Sequence, residues 1–209
     1  MPKTKPGRIV IISSPSGGGK TTICRKLLNP NRKTQGWSFS VSHTTRKMRI
    51  GERNGREYTF VSADEFAAKV KHGFFAEHFS VHGNKYGTPR QPLEDVKRSG
   101  GVKILDIDIQ GARRIKREFP DATAIFVLPP SITELRRRLK LRGTETREEL
   151  AIRFKGALRE MKSIHTAGFG YIVINKELAT AVKQVLAIIE ADSCRIENMS
   201  KEHLHKLIG

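Results

Sequence analysis

Four short apolar runs punctuate the chain: RIVIIS (8–13), VKILDIDI (102–109), AIFVL (124–128) and YIVIN (171–175). Each has the length of a strand and is apolar at consecutive positions, the pattern of strands covered on both faces of a parallel sheet. Helical periodicity fills the intervals. Lys20–Leu28 sets Ile23 and Leu27, with Cys24 and Leu28, on one side. Ile132, Leu135 and Leu139 form a stripe after the prolines at 129–130, and Leu178, Val182, Val185 and Ile189 form another. This alternation predicts an α/β fold, a parallel sheet flanked by helices.

Two stretches depart from the pattern. In 38–90, SFSVSHTTR and REYTFVS are strand-like around a Gly-rich connection, RIGERNG, and DEFAAKV opens on Asp64, placed as a helix N-cap. This stretch reads as an inserted substrate-binding subdomain. In 137–160, arginine and glutamate alternate densely, which reads as an exposed helical hairpin. The expected organisation is a single domain over 1–209: a core of about 8–37, 91–136 and 161–209, an insert of about 38–90 and a hairpin of about 137–160.

The 209 residues suffice for a full hydrophobic core, and no apolar run approaches the roughly 20 residues of a membrane span. The basic MPKTKPGR is followed by an apolar stretch too short for a signal-peptide core. Cys24 and Cys194 have no metal-binding spacing and read as reduced core thiols, so a cytoplasmic protein with no membrane partner is expected. The net charge of +18, from 39 Lys plus Arg against 21 Asp plus Glu, suits phosphorylated small molecules, nucleic acid or anionic lipid. The basic residues are spread along the whole chain and no nucleic-acid motif accompanies them, so no specific nucleic-acid partner is expected. Oligomeric state is not set by these features.

The first apolar run delivers SSPSGGGKTT (13–22), which fits the phosphate-loop pattern G-x-x-x-x-G-K-(S/T) except that Ser14 stands at the leading glycine. A strand, a Gly-rich turn and a helix start are the context this pattern requires. Gly17, Gly18 and Gly19 can adopt positive φ and let backbone N–H groups converge on an anion at the helix N-terminus, and Ser14, Pro15 and Ser16 complete the ATP-binding loop. Lys20 adds a point charge on the β- and γ-phosphates, Thr21 offers a hydroxyl to Mg²⁺, and Thr22 follows in the first turn. Asp106 and Asp108, two apart, are expected on one face of the second strand near its C-terminal end, where open parallel sheets bind ligands.

The next segment carries a family likeness. SVSHTTRKMRIGERNGREYTF (40–60) resembles the GMP-binding signature of guanylate kinases, with Thr45, Arg46, Arg49, Glu52, Gly55, Tyr58 and Phe60 at its positions. GNKYGT (83–88), ILDIDIQG (104–111), PPS (129–131) and LRGTETREE (141–149) resemble guanylate kinase segments in the family's order. The likeness runs from about residue 8 to about 190. It implies a P-loop NTPase-like sheet with a GMP-binding insert and a helical lid. The implied activity is ATP-dependent phosphorylation of GMP, and of dGMP, in purine nucleotide metabolism and GMP recycling, with Mg²⁺ as cofactor and GMP and ATP as partners. Lys85, where many relatives carry an aromatic residue, departs from the pattern.

By resemblance, Arg46 and Arg49 hold the GMP phosphate with Tyr58 and Tyr86, and Gly87 lies beside them; guanidinium forks match phosphate oxygens. Glu77, Ser42 and Thr88 are the family's guanine-reading positions. A carboxylate accepts from guanine N1–H and N2–H₂ together, and hydroxyls donate to O6; adenine presents the opposite pattern. Asp108 orients GMP and the magnesium shell through water, with Thr21 a direct ligand. Arg138, Arg142 and Arg153 match lid arginines that close over the ATP phosphates, and Asn175 matches an adenine contact. Lys20, Arg49, Arg142 and Arg153 are the expected catalytic set. A catalytically silent guanylate-kinase-like module that binds phosphorylated proteins is the rival reading; such modules lose the loop lysine and lid arginines, which are present here. A nucleic-acid binder, and a kinase with a phosphorylated sugar as acceptor, are weaker alternatives.

Overall fold

The computed structural model describes residues 7–28, 30–81, 83–141, 147–196 and 205. In chain order it runs β1 (Arg8–Ser13), α1 (Lys20–Leu27), α2 (Pro30–Thr34), β2 (Trp37–Phe39), β3 (His43–Thr44), β4 (Thr59–Phe60) and α3 (Ala63–Lys71). It continues through β5 (Phe75–Val81), β6 (Asn84–Pro89), α4 (Gln91–Ser99), β7 (Val102–Asp106), α5 (Ile109–Glu118) and β8 (Thr123–Leu128). The last elements are α6 (Ile132–Lys140), α7 (Arg147–Lys162), a 3-10 turn (Ile164–Thr166), β9 (Tyr171–Ile174) and α8 (Leu178–Asp192).

Five strands pair in the order β2-β7-β1-β8-β9, all parallel. The four apolar runs are in this sheet. The fifth strand, β2, includes Ser38 and Phe39, the first residues of the 38–90 stretch, which pair with Lys103 and Ile104 of β7. Alternation along β1 sorts the core. Val10 and Ile12 join Ile23 and Leu27 of α1 and Val185 and Ile189 of α8 on one face. Ile9 and Ile11 join Leu93 of α4, Leu105 and Ile115 on the other. Each such side chain contributes about 1.5–3 kcal/mol on burial, so β1 is anchored from both sides and its C-terminal end is a firm base for the loop that follows. Because β7 lies on one side of β1 and β8 on the other, that end is the point where the strand order reverses, the usual ligand crevice of open α/β sheets.

The strand expected over 102–109 is shorter: β7 stops at Asp106. Asp108 is the N-cap of α5, its Oδ1 accepting the Gly111 N–H at 2.8 Å. The two acids therefore do not share a strand face; one ends the strand and the other starts the helix. An Asp satisfying an orphan helix donor outcompetes continuation of the ladder.

A second sheet, β4-β3-β6-β5, stands beside the first. β5 and β6 form an antiparallel hairpin, and β3 lies antiparallel to β6. Helix α3 starts two residues earlier than its acidic residues suggest. Ser62, not Asp64, is the N-cap: its Oγ accepts the Glu65 N–H at 3.1 Å while the Glu65 carboxylate accepts the Ser62 N–H at 2.8 Å. This reciprocal capping box satisfies two helix donors where Asp64 would satisfy one. In the hairpin segment, Leu135 and Leu139 of α6 pack on Ala157 of α7, with Leu150, Phe154 and Met161 around them. Arg142 lies outside the described residues. Among the described residues, no helix is long and apolar enough to cross a membrane.

Candidate active site

The loop after β1 takes its shape from its glycines and from Asn175. Gly17 and Gly19 have φ of 88° and 93°, the left-handed region that a side chain disfavours. A Cβ on Gly19 would also meet Asn175 Nδ2 at 2.2 Å. Asn175 is buried just beyond β9 and donates from Nδ2 to the Gly18 carbonyl at 3.0 Å. Its own carbonyl accepts from Arg138 Nη2 at 2.9 Å, and Arg138 Nε is held by Glu134 at 2.7 Å. Ser14 and Pro15 are buried, and the Gly18 N–H closes the turn on the Pro15 carbonyl at 2.9 Å. Helix α1 begins at Lys20 with no side-chain cap, so its first N–H groups and positive dipole end face the loop. Thr21 and Thr22 are exposed in the first turn.

Lys20 crosses to the end of β7, where its Nζ lies 2.9 Å from Asp106 Oδ1 and donates to the Ile107 carbonyl at 2.9 Å. Burial works against its charge, but the Asp106 carboxylate more than compensates and its pKa is raised. Two further carboxyls converge here. Burial pushes Asp108 up, against the Gly111 amide bond and the Lys20 charge. Glu160 of α7 accepts the Ser16 N–H of the loop, and burial, with the nearby Asp108 charge, pushes it to about 7. Arg153, two turns earlier on α7, donates from Nη2 to Ser16 Oγ at 2.7 Å. The hairpin thus grips one loop residue from both its amide and its hydroxyl.

The second sheet carries a different cluster. Register pairs Glu77 of β5 with Thr88 of β6. Thr88 Oγ1 donates to Glu77 Oε1 at 2.6 Å, and Ser42 Oγ is 3.4 Å from Thr88 Oγ1. All three residues are buried, and Glu77 Oε2 has no hydrogen-bond partner. Burial pushes the Glu77 carboxyl up to about 7, partly opposed by the Thr88 bond. A buried carboxylate oxygen left unpaired is costly, so the site is built for donors that the protein itself does not supply.

Nearby, Arg46 is clamped by Glu52: Nη2 lies 2.9 Å from Oε1 and Nη1 3.1 Å from Oε2. Glu52 Oε2 also takes the Arg49 N–H at 2.8 Å. The Arg46 guanidinium lies over the Tyr58 and Phe60 rings at 5.4 and 5.6 Å and hydrogen-bonds Tyr86. Despite its partial burial, these bonds raise its pKa. Gly87 packs its α-carbon on the Phe75 ring; a Cβ there would come within 2.8 Å. Tyr58 feels the charges of both Lys20 and Asp106, which places the two clusters side by side.

The residues singled out from sequence therefore fall into two adjoining groups. Ser14–Thr22, Arg138, Arg153, Asn175 and Asp108 gather at the end of the main sheet, and Ser42, Arg46, Tyr58, Glu77, Tyr86, Gly87 and Thr88 gather on the second. The Arg49 side chain is exposed, outside the buried cluster. Sequence reading missed Asp106 as the Lys20 partner, Glu52 as the clamp on Arg46, and Glu160. Glu52 had a signal, since it holds a fixed place in the Arg46–Phe60 pattern; Glu160 had none among the other acids of α7.

The raised carboxyls give a stability prediction. Glu77 titrates at about 7 when folded, against 4.5 when exposed. In that window the folded chain binds more protons than the unfolded one, so stability falls as pH rises through it. Calorimetry of the ligand-free protein from about pH 5 to about pH 8 should show the melting temperature falling more steeply in wild type than in Glu77→Gln. Parallel profiles for the two proteins would contradict the assignment.

The family model for guanylate kinase matches residues 6–192. A guanylate kinase of Clostridium tetani is 42% identical over 193 residues, 92% of this chain and 90% of its own. That of Symbiobacterium thermophilum is 44% identical over 195 residues, 93% of this chain and 90% of its own. The crystal structure of guanylate kinase from Anaplasma phagocytophilum superposes with a TM-score of 0.79 at 31% identity, covering 99% of this chain and 95% of that one.

Proposed function

The chain belongs to the guanylate kinase family, and from that premise we propose how its residues share the work of phosphorylating GMP to GDP with ATP. Glu77 reads the base. Its unpartnered Oε2, and Oε1 beyond the Thr88 bond, accept from guanine N1–H and N2–H₂. Thr88 gives its single proton to Glu77, which leaves Ser42 to donate to O6. Adenine would set an acceptor against this carboxylate and leave a buried charge unpaired, the stronger form of discrimination. The single observation that carries the reading is the buried Glu77 oxygen with no partner, in the same sheet as the Arg46 and Tyr58 cluster and separated from it by β6.

Arg46, Arg49, Tyr58 and Tyr86 hold the GMP phosphate, so an oxygen of that phosphate faces the γ-phosphorus of ATP. The new P–O bond forms as the bond to the β–γ bridging oxygen breaks, and ADP leaves. Such transfer needs in-line placement and positive charge rather than covalent help. Lys20 exchanges part of its Asp106 pairing for the β- and γ-phosphates, and the loop amides take the remaining oxygens. Arg153, and Arg142 from the segment beyond α6, close over the moving group and exclude water. Arg138 and Asn175 line the adenosine side of the loop, Asn175 also setting the loop's shape.

The donors near Lys20 fit a magnesium ion carried by the nucleotide. They are a hydroxyl on exposed Thr21 and the carboxylate of Asp108, all oxygen, which suits a hard cation that keeps phosphate and water ligands. Among the described residues, no group of three or more His, Cys, Asp or Glu converges as a protein-held metal site. When bound, the ion neutralises charge on the phosphate oxygens. Thr21 would ligate it directly and Asp108 through water.

A coupled assay of ADP release across GMP, dGMP, AMP, UMP and no acceptor tests this reading. GMP-dependent release that AMP and UMP do not match is expected. Equal rates for GMP and AMP would refute the role of Glu77.

A further inference from the structure

Among the described residues, Arg114 is a cation beside the acceptor site to which the kinase reading gives no role. Arg114 stands on α5 one turn beyond Gly111, and residues three apart share a helix face. That face meets β5. A Cβ on Gly111 would lie 3.1 Å from Phe79 Cε1, so the glycine lets the helix close on the strand. One turn on, the Arg114 guanidinium carbon lies 5.9 Å from the centre of the Phe79 ring. Neighbouring Arg113 is turned elsewhere, donating to Thr166 Oγ1 at 2.9 Å and to the Ser163 carbonyl at 3.5 Å. Phe79 stacks on Tyr86, with centroids 5.9 Å apart and planes at 18°. It lies two residues beyond Glu77 on β5, hence on the same side of the strand. Arg114 therefore overhangs the base end of the acceptor site.

We propose that Arg114 is a positioning residue for the acceptor base: its charge acts through Glu77, holding that carboxyl in the ionised form that accepts both guanine donors. The inference rests on the reading of Glu77 as the guanine partner. The groups that face Glu77 divide cleanly. Thr88 on β6 donates to it; Asp108 at the N-cap of α5 opposes its ionisation; Arg114 on the same helix favours it. Burial is the largest influence and leaves the carboxyl at about 7, where a modest field decides the ionised fraction. Arg114 is exposed, so its field is partly screened and its effect is moderate.

The test is the initial rate against GMP concentration, at saturating ATP, for wild type, Arg114→Gln and Arg114→Lys from about pH 6 to about pH 8.5. Arg114→Gln should raise the KM for GMP about two- to fivefold near neutral pH, the range of an exposed charge pair, with kcat and the KM for ATP unchanged. The deficit should close toward the alkaline end, where Glu77 is ionised in both proteins, and Arg114→Lys should follow wild type. In a Glu77→Gln background the same substitution should have no effect on GMP. An unchanged KM, a rise that is the same at every pH, or failure of lysine to rescue would overturn the inference. Absence of GMP turnover by the wild-type chain would instead refute the kinase reading on which it depends.

Discussion

Lys20→Ala should lower GMP-dependent ADP formation by about 10²–10³-fold, the scale of losing one preorganised charge at a transition state. Lys20 joins the loop to the end of β7, and in the proposed mechanism it also meets the nucleotide phosphates. In the ligand-free protein its ammonium sits between Asp106 and the Ile107 carbonyl, already desolvated and already charged. Little reorganisation is needed for it to follow the transferring phosphoryl group. The fold should survive. The Lys20 side chain packs in neither core cluster, and Asp106, with 29% of its side chain exposed, can rehydrate once its partner is gone. Circular dichroism should therefore match wild type while turnover collapses. Activity within about tenfold of wild type, about 1.4 kcal/mol of barrier, would contradict the assignment.

Glu77→Gln is the second large effect, and it separates base reading from phosphate chemistry. Glutamine keeps an acceptor for Thr88 but places an amide donor against guanine's donors. The kcat/KM for GMP should fall by about 2–4 kcal/mol, the cost of a charge-assisted pair replaced by a mismatch. The KM for ATP should stay within about twofold, because the loop and α7 are untouched. Steady-state kinetics with each nucleotide varied in turn decides it. An equal loss for both nucleotides would make Glu77 a structural residue.

The sequence made the main sheet and the loop legible because both are written locally. Buried parallel strands are unbroken apolar runs, and a phosphate loop is a glycine pattern between a strand and a helix. The second sheet is not local in this sense. β6, NKYGTP, contains Asn, Lys, Gly and Pro, residues poor in strands. It pairs because Gly87 fits beneath Phe75 and because β5 and β3 flank it on either side. β2 is three residues with no apolar run, added to the sheet by its neighbour β7.

The candidate site divides the same way. Lys20 and Arg46 could be singled out from the motifs that contain them, and Glu77 from the family resemblance. The placement of several residues around them could not. Asp108 continues the apolar alternation of its strand, and only the competition between ladder and cap moves it to a helix start. Glu160 is one acid among several on α7, distinguished by the packing of Leu135, Leu139 and Ala157 that brings its turn against Ser16. Arg114 reads as part of a basic helix until Gly111 is seen to press that helix onto Phe79. For Glu160 and Arg114 the deciding contact spans distant elements, which periodicity and motif spacing do not encode.

The most direct test of the account supplies ATP labelled in its γ-phosphate to the wild-type protein with equal amounts of GMP and AMP in one reaction. Separation of the products should find the label in GDP and almost none in ADP, as the proposed pairing of Glu77 with guanine requires. Label divided evenly between GDP and ADP, or released only as free phosphate, would contradict it.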